Sequence, residues 1–581
     1  MKMIEGKPVV VKPGEKKTVT LSANWIAPRL WDVSDGYMYD ACISLSENNK
    51  SLDRKFIPFG FREFEIKGRD FYLNGSRIVM LRNSTLTSIG AENPPETDNV
   101  YNCYRQHLGF NNMNQIKSAD RIGKMIIPES SWSWVHCFPS SSKSAWLDNT
   151  KEYFKRWIKH LRNHPSIVMW SLANETYWDR RKPEELAIAG EILETAKNVD
   201  PVRPQQGDGE CSWNGILPTI NIHYPESTAG DVRTKYPNSG IVIPNDFYWL
   251  KKDGKSNKGW RAEFVWDRPL MIGEYYWISG SPERFTSFMG DSVYDWEKWR
   301  RQELAGRNGQ SGREYNNRWT RSLQKMTDIY RMEGAACVNP WSGDRSIIAE
   351  LVTVRPVDYY PNFAAGEKGE KTMVVINDSR TRFTYLTLQC FITVDGATIW
   401  QKKIKCNTPP GKFEKIKVEF DLPEVSKITK AEFTARLVYW RAGGFHQKSR
   451  HVETMFIVPK RNLAALKDQV LLYSKNDNAG KALAAAGINV DNVKQLTSSL
   501  LRGKKLVIIG KNSLASGITE MLDDFVAKGG QVLILPQKDW KPFRPELPEA
   551  DSRHVASQTW LRAAKHPIMK DMSDGQFSYW R

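Results

Sequence analysis

The stretch Arg162-Asn163-His164-Pro165-Ser166-Ile167-Val168-Met169-Trp170-Ser171-Leu172-Ala173-Asn174-Glu175 decides how this chain is read. A helix end meets a His164-Pro165 break, a short apolar strand follows, and the strand delivers a polar pair, Asn174-Glu175, at its carboxyl end. Further along, Pro269-Leu270-Met271-Ile272-Gly273-Glu274 repeats the shape, an apolar run ending in Glu. A single Glu in such a place more often ends a strand or caps a helix. Two of them, each closing a buried strand, point to one mouth, because a parallel α/β barrel builds its chemistry where several strand ends converge.

The surrounding sequence has the alternation such a barrel needs. Short apolar strands are expected at Arg77–Met80, Lys124–Ile127, Ile167–Trp170, Thr219–Ile222, Leu270–Ile272 and Ala335–Val338, separated by helical segments. Phe154, Trp157, Ile158 and Leu161 share one helical face ending at His164-Pro165; Leu186, Ala189, Leu193 and Ala196 form a second behind Pro183, a first-turn proline. Trp319, Leu323, Met326 and Ile329 or Tyr330 form a third, closed by Gly334. Residues 65–346 therefore read as a (β/α)8 barrel, at roughly 280 residues an ordinary length for one.

Three other segments flank it. Residues 1–64 alternate in strand fashion at Val9–Val11, Lys17–Leu21 and Tyr37–Leu45, too few strands for more than a partial Ig-like β-sandwich. Residues 350–458 carry six or seven alternating segments, among them Thr372–Ile376, Thr384–Thr393, Ile399–Ile404, Phe413–Phe420, Ala431–Tyr439 and His451–Val458, and read as a second β-sandwich. Residues 459–581 return to α/β, with buried strands at Val470–Tyr473, Leu506–Gly510 and Val532–Leu535 and a helix bearing Leu522, Phe525 and Val526 before Gly529-Gly530. This suggests a small open sheet of flavodoxin or amidotransferase type, structural in role, since neither a cysteine nor a phosphate-cradling glycine motif occurs in it.

With 581 residues the chain is too long for one core. No apolar run reaches the roughly 18 residues that span a bilayer. Met1–Thr20 has no apolar core of signal-peptide length, so no targeting segment is read there; a periplasmic or secreted location stays open should the native amino terminus lie upstream. The 84 Lys and Arg against 66 Asp and Glu give a net charge of +18, which raises a polyanionic partner, nucleic acid or acidic polysaccharide, as a rival reading. Acids alternate with the bases along most of the chain and no nucleic-acid reading motif accompanies them, so nucleic acid is not expected. Seven cysteines without CxxC or other metal spacing read as separate buried thiols.

Two carboxyls at one barrel mouth are what acid/base-assisted cleavage of a glycosidic bond requires. The motifs around them resemble glycoside hydrolase family 2, the β-galactosidase, β-mannosidase and β-glucuronidase family. Phe59-Gly60-Phe61-Arg62-Glu63 with Phe71-Tyr72-Leu73-Asn74-Gly75 resembles the family's entry from an Ig-like domain into the first barrel strand; Trp25, Pro28 and Leu30-Trp31 resemble the closing strands of that domain. Arg162–Glu175 resembles the acid/base signature and Ile272-Gly273-Glu274-Tyr275 the nucleophile signature. The specific part covers roughly residues 55 to 345, and the family's amino-terminal jelly-roll domain has no counterpart here.

The resemblance implies Glu175 as general acid and base, its pKa raised by the apolar approach around Trp170, and Glu274 as nucleophile. Asn174 would bond the sugar 2-hydroxyl. In Asn221-Ile222-His223-Tyr224-Pro225, Tyr224 resembles the tyrosine that bonds the nucleophile, its alternative being a packed aromatic, and His223 stands beside it in the substrate site. Trp341 is placed like the tryptophan that floors the sugar site, or is a core residue. Glu129, with Trp132 and Trp134, lines the pocket; Asp208 binds a hydroxyl or makes a turn; Arg82 lies beneath the site or forms an ordinary barrel salt bridge.

The resemblance also has departures. Asn112–Ser118 runs almost directly into Ala119-Asp120-Arg121-Ile122-Gly123, without the arginine and histidine that an Arg-x-x-His-Tyr-Pro segment supplies after the second strand. No Asn-x-Lys pair, associated with glucuronic-acid recognition, follows Glu274 in the barrel. The reading is a retaining exo-β-glycosidase, β-galactosidase-like, acting on a carbohydrate without cofactor, with no metal ligands assigned and the assistance of a divalent ion left open, with no nucleic-acid or membrane partner and with homo-oligomer formation left open. Its alternatives are a catalytically degenerate carbohydrate-binding protein of the same fold and a β-mannosidase-type specificity.

Overall fold

The computed structural model describes residues 4–83, 101–133, 143–223, 267–275, 327–340, 350–460 and 468–537, apart from scattered positions within them, with short strands at 233–235 and 242–244 and isolated positions elsewhere. Eight of its strands form a ring: β1 Met80–Asn83, β2 Cys103–Gln106, β3 Met125–Pro128, β4 Trp170–Asn174, β5 Gln205–Asp208, β6 Ile220–His223, β7 Leu270–Tyr275 and β8 Ala335–Pro340. One ladder runs β6-β7-β8-β1-β2-β3, parallel at each step. β3 meets the β4 segment through the parallel bridges Ile126 to Ile167, Glu129 to Ser171 and Ser133 to Asn174, and β4 pairs β5 in parallel. Between β5 and β6 the ring closes through the Cys211–Asn221 bridge and a hydrogen bond from Asn221 Nδ2 to Gln206 Oε1 of 2.7 Å.

The barrel is packed on two sides for reasons visible in its residues. Outward-facing Val79, Leu81, Tyr104, Ile126, Leu172, Ile220, Ile222, Ile272 and Val338 meet the apolar faces of helices α2 (Lys143–Leu161) and α3 (Pro183–Val199) and of α1 (Met113–Ile122). Phe154, Trp157, Ile158 and Leu161 of α2 are buried as expected, and Pro183 opens α3. Met80, Cys103, Met125, Ile127, Val168, Met169, Met271 and Cys337 form an interior cluster with Trp31, Phe64, Phe71, Leu73 and Ile78. The last four belong to a three-stranded antiparallel sheet, 64–67, 70–73 and 76–78, which therefore packs onto one end of the barrel. The His164-Pro165 break is fastened by Asp120 of α1, which accepts from Ser166 N at 3.1 Å and lies 2.6 Å from His164 Nδ1.

Three expectations are corrected. Residues 76–78 belong to the antiparallel sheet rather than the barrel, so the first barrel strand starts at Met80, not Arg77. β2, Cys103–Gln106, was not expected at all. Near the amino terminus the described residues hold one hairpin, 39–47 with 50–59; Val9–Val11 and Lys17–Leu21 are extended and exposed with no strand beside them among the described residues, and a lone strand leaves its backbone groups to water. The helix expected around Trp319 lies outside the described residues except for a turn at 327–332, which Gly334 follows with φ +83°.

Beyond the barrel, a three-stranded sheet (352–356, 368–377, 412–421) faces a five-stranded one (362–364, 444–458, 429–441, 387–394, 397–405) across a core that includes Val354, Val375, Val418, Leu388, Phe433 and Leu437. A four-stranded parallel sheet follows, in the order 492–493, 470–473, 506–509, 531–534. Six cysteines are described, all free, and among the described residues no helix is long and apolar enough to cross a membrane.

Candidate active site

The carboxyl ends of the barrel strands bring seven of the expected residues together: Arg82 from β1, Glu129 just past β3, Asn174 and Glu175 from β4, Asp208 from β5, His223 from β6 and Glu274 from β7. Tyr224, Trp341 and Trp134 lie outside the described residues. Two residues that were not expected join them, both from β2 and its end. Arg105 is fully buried and reaches Glu129 Oε2 (2.8 Å from Nε, 2.7 Å from Nη2), Asn174 Oδ1 (2.7 Å) and Asp208 Oδ2 (3.1 Å), and it donates through Nη1 to Glu274 Oε1. His107 Nδ1 lies 3.0 Å from Glu129 Oε1. The arginine and histidine that Asn112–Ser118 lacks therefore stand earlier, at the end of β2, and Asn112 caps α1 instead.

Asp208 neither makes an ordinary turn nor offers itself to a hydroxyl. Each of its oxygens has three neighbours: Oδ2 has Arg82 Nη1 at 2.8 Å, Gln206 Nε2 at 3.0 Å and Arg105 Nε at 3.1 Å. Oδ1 has Arg82 Nη2 at 2.9 Å, Asn221 Nδ2 at 3.0 Å and His223 Nε2 at 3.1 Å. A carboxylate offers about four lone-pair sites, so nothing is left over for a sugar. Burial would raise the Asp208 pKa, but Arg105 and then Arg82 outweigh it and hold the carboxyl well below its usual range. Arg82 is thus both beneath the site and salt-bridged, and it also donates to Gly273 O at 2.5 Å.

His223 is fully buried, with Nδ1 2.5 Å from Glu175 Oε1 and 3.6 Å from Glu274 Oε2. Burial opposes its charge, but Glu274 and Glu175 overcome that and push its pKa up to about 10. That shift favours the imidazolium at neutral pH, which donates from Nδ1 to Glu175 and from Nε2 to Asp208. Donor atoms of Glu175, His223 and Glu274 lie within 4.8 Å of one another. Two carboxyls and an imidazole this close can pass a proton among them, as an acid/base set does.

Local backbone irregularities aim these side chains. The β4–β5 register shifts between Gln206 and Asp208, and the β7 pairing shifts between Ile272 and Tyr275, a bulge that turns Glu274 off the alternation of its strand. Gly273 has to be glycine: a Cβ there would come within 2.0 Å of Asn221 Oδ1 and 2.5 Å of Asp208 Oδ1. Glu175 itself takes a left-handed conformation, φ +47°, with its N–H donated to Asp208 O at 3.0 Å. Trp170, expected to desolvate Glu175, packs edge-on against Trp157 and donates to Asp200 Oδ2 at 3.0 Å; its partners belong to the helix layer. Asn174 donates to Ser133 Oγ at 3.0 Å besides accepting from Arg105, and its amide keeps one N–H and one lone pair beyond these bonds.

Residues 103–277 match the family described as Glycosyl hydrolases family 2, TIM barrel domain. A putative beta-glucuronidase of Formosa agariphila is 29% identical over 195 residues, 30% of this chain and 23% of that protein. Beta-galactosidase BoGH2A of Bacteroides ovatus is 22% identical over 299 residues, 42% of this chain and 34% of that protein. The exo-chitosanase CsxA of Amycolatopsis orientalis superposes with a TM-score of 0.46 at 14% identity, covering 76% of this chain and 57% of that one. The chain thus spans about a quarter to a third of the curated relatives it matches. The barrel segment, from β2 to just past the end of β7, thus carries the match to the TIM barrel domain of the glycosyl hydrolases of family 2.

Proposed function

We propose that the chain is a retaining exo-β-glycosidase, β-galactosidase-like in specificity, with Glu175 as acid/base and Glu274 as nucleophile. The observation that carries this is the approach of their carboxyl oxygens to within 4.8 Å at one barrel mouth. Retaining pairs stand about 5 to 5.5 Å apart, whereas inverting pairs leave about 6.5 to 9.5 Å for a water. Glu274 attacks the anomeric carbon while Glu175 protonates the leaving oxygen, and Glu175 then deprotonates the water that releases the sugar. His223, donating to Glu175, stabilises the carboxylate that forms as the proton departs. Arg105 fixes Glu274 against Asn174, whose remaining N–H suits the sugar 2-hydroxyl. Relatives are named both beta-galactosidase and beta-glucuronidase; the missing Asn-x-Lys pair favours the former type. In this reading residues 1–64, 350–458 and 459–581 are accessory, of Ig-like, sandwich and flavodoxin- or amidotransferase-like kinds around a 65–346 barrel.

A panel of aryl β-glycosides, including the galactoside, glucuronide and mannoside, tests the proposal. The wild type is expected to cleave the galactoside with retention at the anomeric carbon, followed by NMR. Glu274→Gln and Glu175→Gln are expected to lower turnover by about 10³-fold and about 10²-fold or more respectively. A wild type no faster than Glu274→Gln on every member, with sugar affinity intact, leaves a carbohydrate-binding protein.

A further inference from the structure

Just past β5, Glu210 is a fully buried carboxylate that touches neither Glu274 nor His223 in any bond described above. Its Oε1 accepts from both the N–H and the hydroxyl of Thr176, the latter at 2.7 Å, and its Oε2 accepts from Trp213 Nε1 at 3.1 Å. Trp178 Nε1 closes the group by donating to Thr176 Oγ1 at 3.1 Å. Thr176 is the residue after Glu175, and Glu175 is in the left-handed region that residues with a Cβ avoid. We infer that Glu210 is the positioning residue of the acid/base: by gripping Thr176 on one side of Glu175, while Asp208 O holds the Glu175 N–H on the other, it keeps the turn left-handed and the carboxyl aimed at the leaving oxygen.

The geometry separates this role from that of the nucleophile. Glu274 is held by Arg105 of β2, whereas the Glu175 turn hangs on the β5–β6 connection. That connection is itself tied to β6, where Cys211 N donates to Asn221 O at 2.8 Å and Asn221 N to Cys211 O at 3.1 Å. Cys211, Trp213 and Asn214 all have positive φ, so the loop is bent to present the Glu210 carboxylate where the N–H and hydroxyl of Thr176, just past β4, need it. Without Glu210, the Thr176 N–H and hydroxyl lose this buried acceptor and Glu175 relaxes towards an ordinary negative φ. The side chain of Glu175 then swings off the leaving oxygen while Glu274 stays in place.

The inference rests on the glycosidase reading, and its test exploits the leaving group. Glycosylation alone governs kcat/KM in a double displacement, and a dinitrophenyl glycoside leaves without a proton whereas a phenyl glycoside of the same sugar needs one. Glu210→Ala and the milder Thr176→Val are expected to lower kcat/KM for the phenyl glycoside roughly 30-fold or more and for the dinitrophenyl glycoside less than about 3-fold, and Glu210→Gln to restore most of the loss. Equal loss on both substrates in Glu210→Ala and Thr176→Val, or no loss on either, overturns the assignment. A wild type that cleaves neither substrate overturns the glycosidase reading itself. The Thr176→Val arm keeps the test decisive should Glu210→Ala not fold.

Discussion

His223 stands where a neutral imidazole would have to choose one carboxylate, and it bonds two. With Glu175 and Asp208 ionised both nitrogens must donate, and Glu274, Glu175 and Asp208 around the ring favour that state, lifting its pKa from 6.5 to about 10 against the effect of burial. A group raised in the folded state stabilises the protein fully below its unfolded value and loses that contribution as pH rises through the folded value. The stabilisation from His223 should therefore be complete below pH 6.5 and fade towards pH 10. Thermal unfolding across that window is expected to show the wild type losing Tm steadily, with His223→Gln less stable at neutral pH but flatter. Parallel slopes for the two proteins would mean that His223 is neutral in the fold. Asp208 works in the opposite sense: held well below its usual range by Arg105 and Arg82, it stabilises above the ordinary aspartate value and gives this up in acid.

At the scale of elements, what converts a buried strand into a site is the break in its regularity at the carboxyl end. β4 ends in the left-handed Glu175, β5 slips register before Asp208, and β7 bulges at Gly273-Glu274. Gly273→Ala tests how tightly the last is built. Asn221 Oδ1, the atom a Cβ would strike, already accepts from Gly209 N at 3.1 Å while the same amide bonds Asp208 and Gln206, so it cannot swing aside without opening the network. The substitution is expected to cost about 1–3 kcal/mol in urea unfolding, with activity lost as well; a cost below about 0.5 kcal/mol would show that the bulge is slack. The same irregularities explain what sequence could reveal. Ile167–Glu175 and Leu270–Glu274 were legible because an apolar run ends in an acid. Cys103-Tyr104-Arg105-Gln106 was not, because half of it is polar and its burial depends on Glu129, Asn174, Asp208 and Glu274 arriving from four other parts of the ring. Hydropathy sees only the residue's own preference, so a strand buried by ion pairing reads as a loop, and Glu210 was hidden for the same reason.

The whole molecule carries a charge of +18, while among the described residues the cluster at the strand ends sets Arg82, Arg105 and His223 against Glu129, Glu175, Asp208 and Glu274. Charge matters to the architecture at another place, the joint between the barrel and the following sandwich. Arg331, in the turn before β8, donates to Asp378 Oδ2 at 2.6 Å and to Leu351 O at 3.0 Å, and lies 3.3 Å from Asp328 Oδ1. Arg77, from the sheet at the barrel's end, approaches Asp378 at 3.6 Å, and Arg355 of the sandwich approaches Asp328 at 3.8 Å. Arg331, Asp328 and Asp378 are almost completely buried, so the group works as a unit: desolvation is repaid only while every charge keeps a partner. Arg331→Met should leave Asp378 and Asp328 short of a cation and cost about 3–5 kcal/mol of stability. Adding Asp378→Asn removes one stranded charge, so the double variant should be less damaged than the sum of the two single ones by about 1–3 kcal/mol. Urea unfolding of the four proteins measures that coupling; strict additivity would mean that the joint is held by apolar packing instead. Since none of these residues touches the cluster at the strand ends, kcat/KM should stay at the wild-type value wherever the variants remain folded.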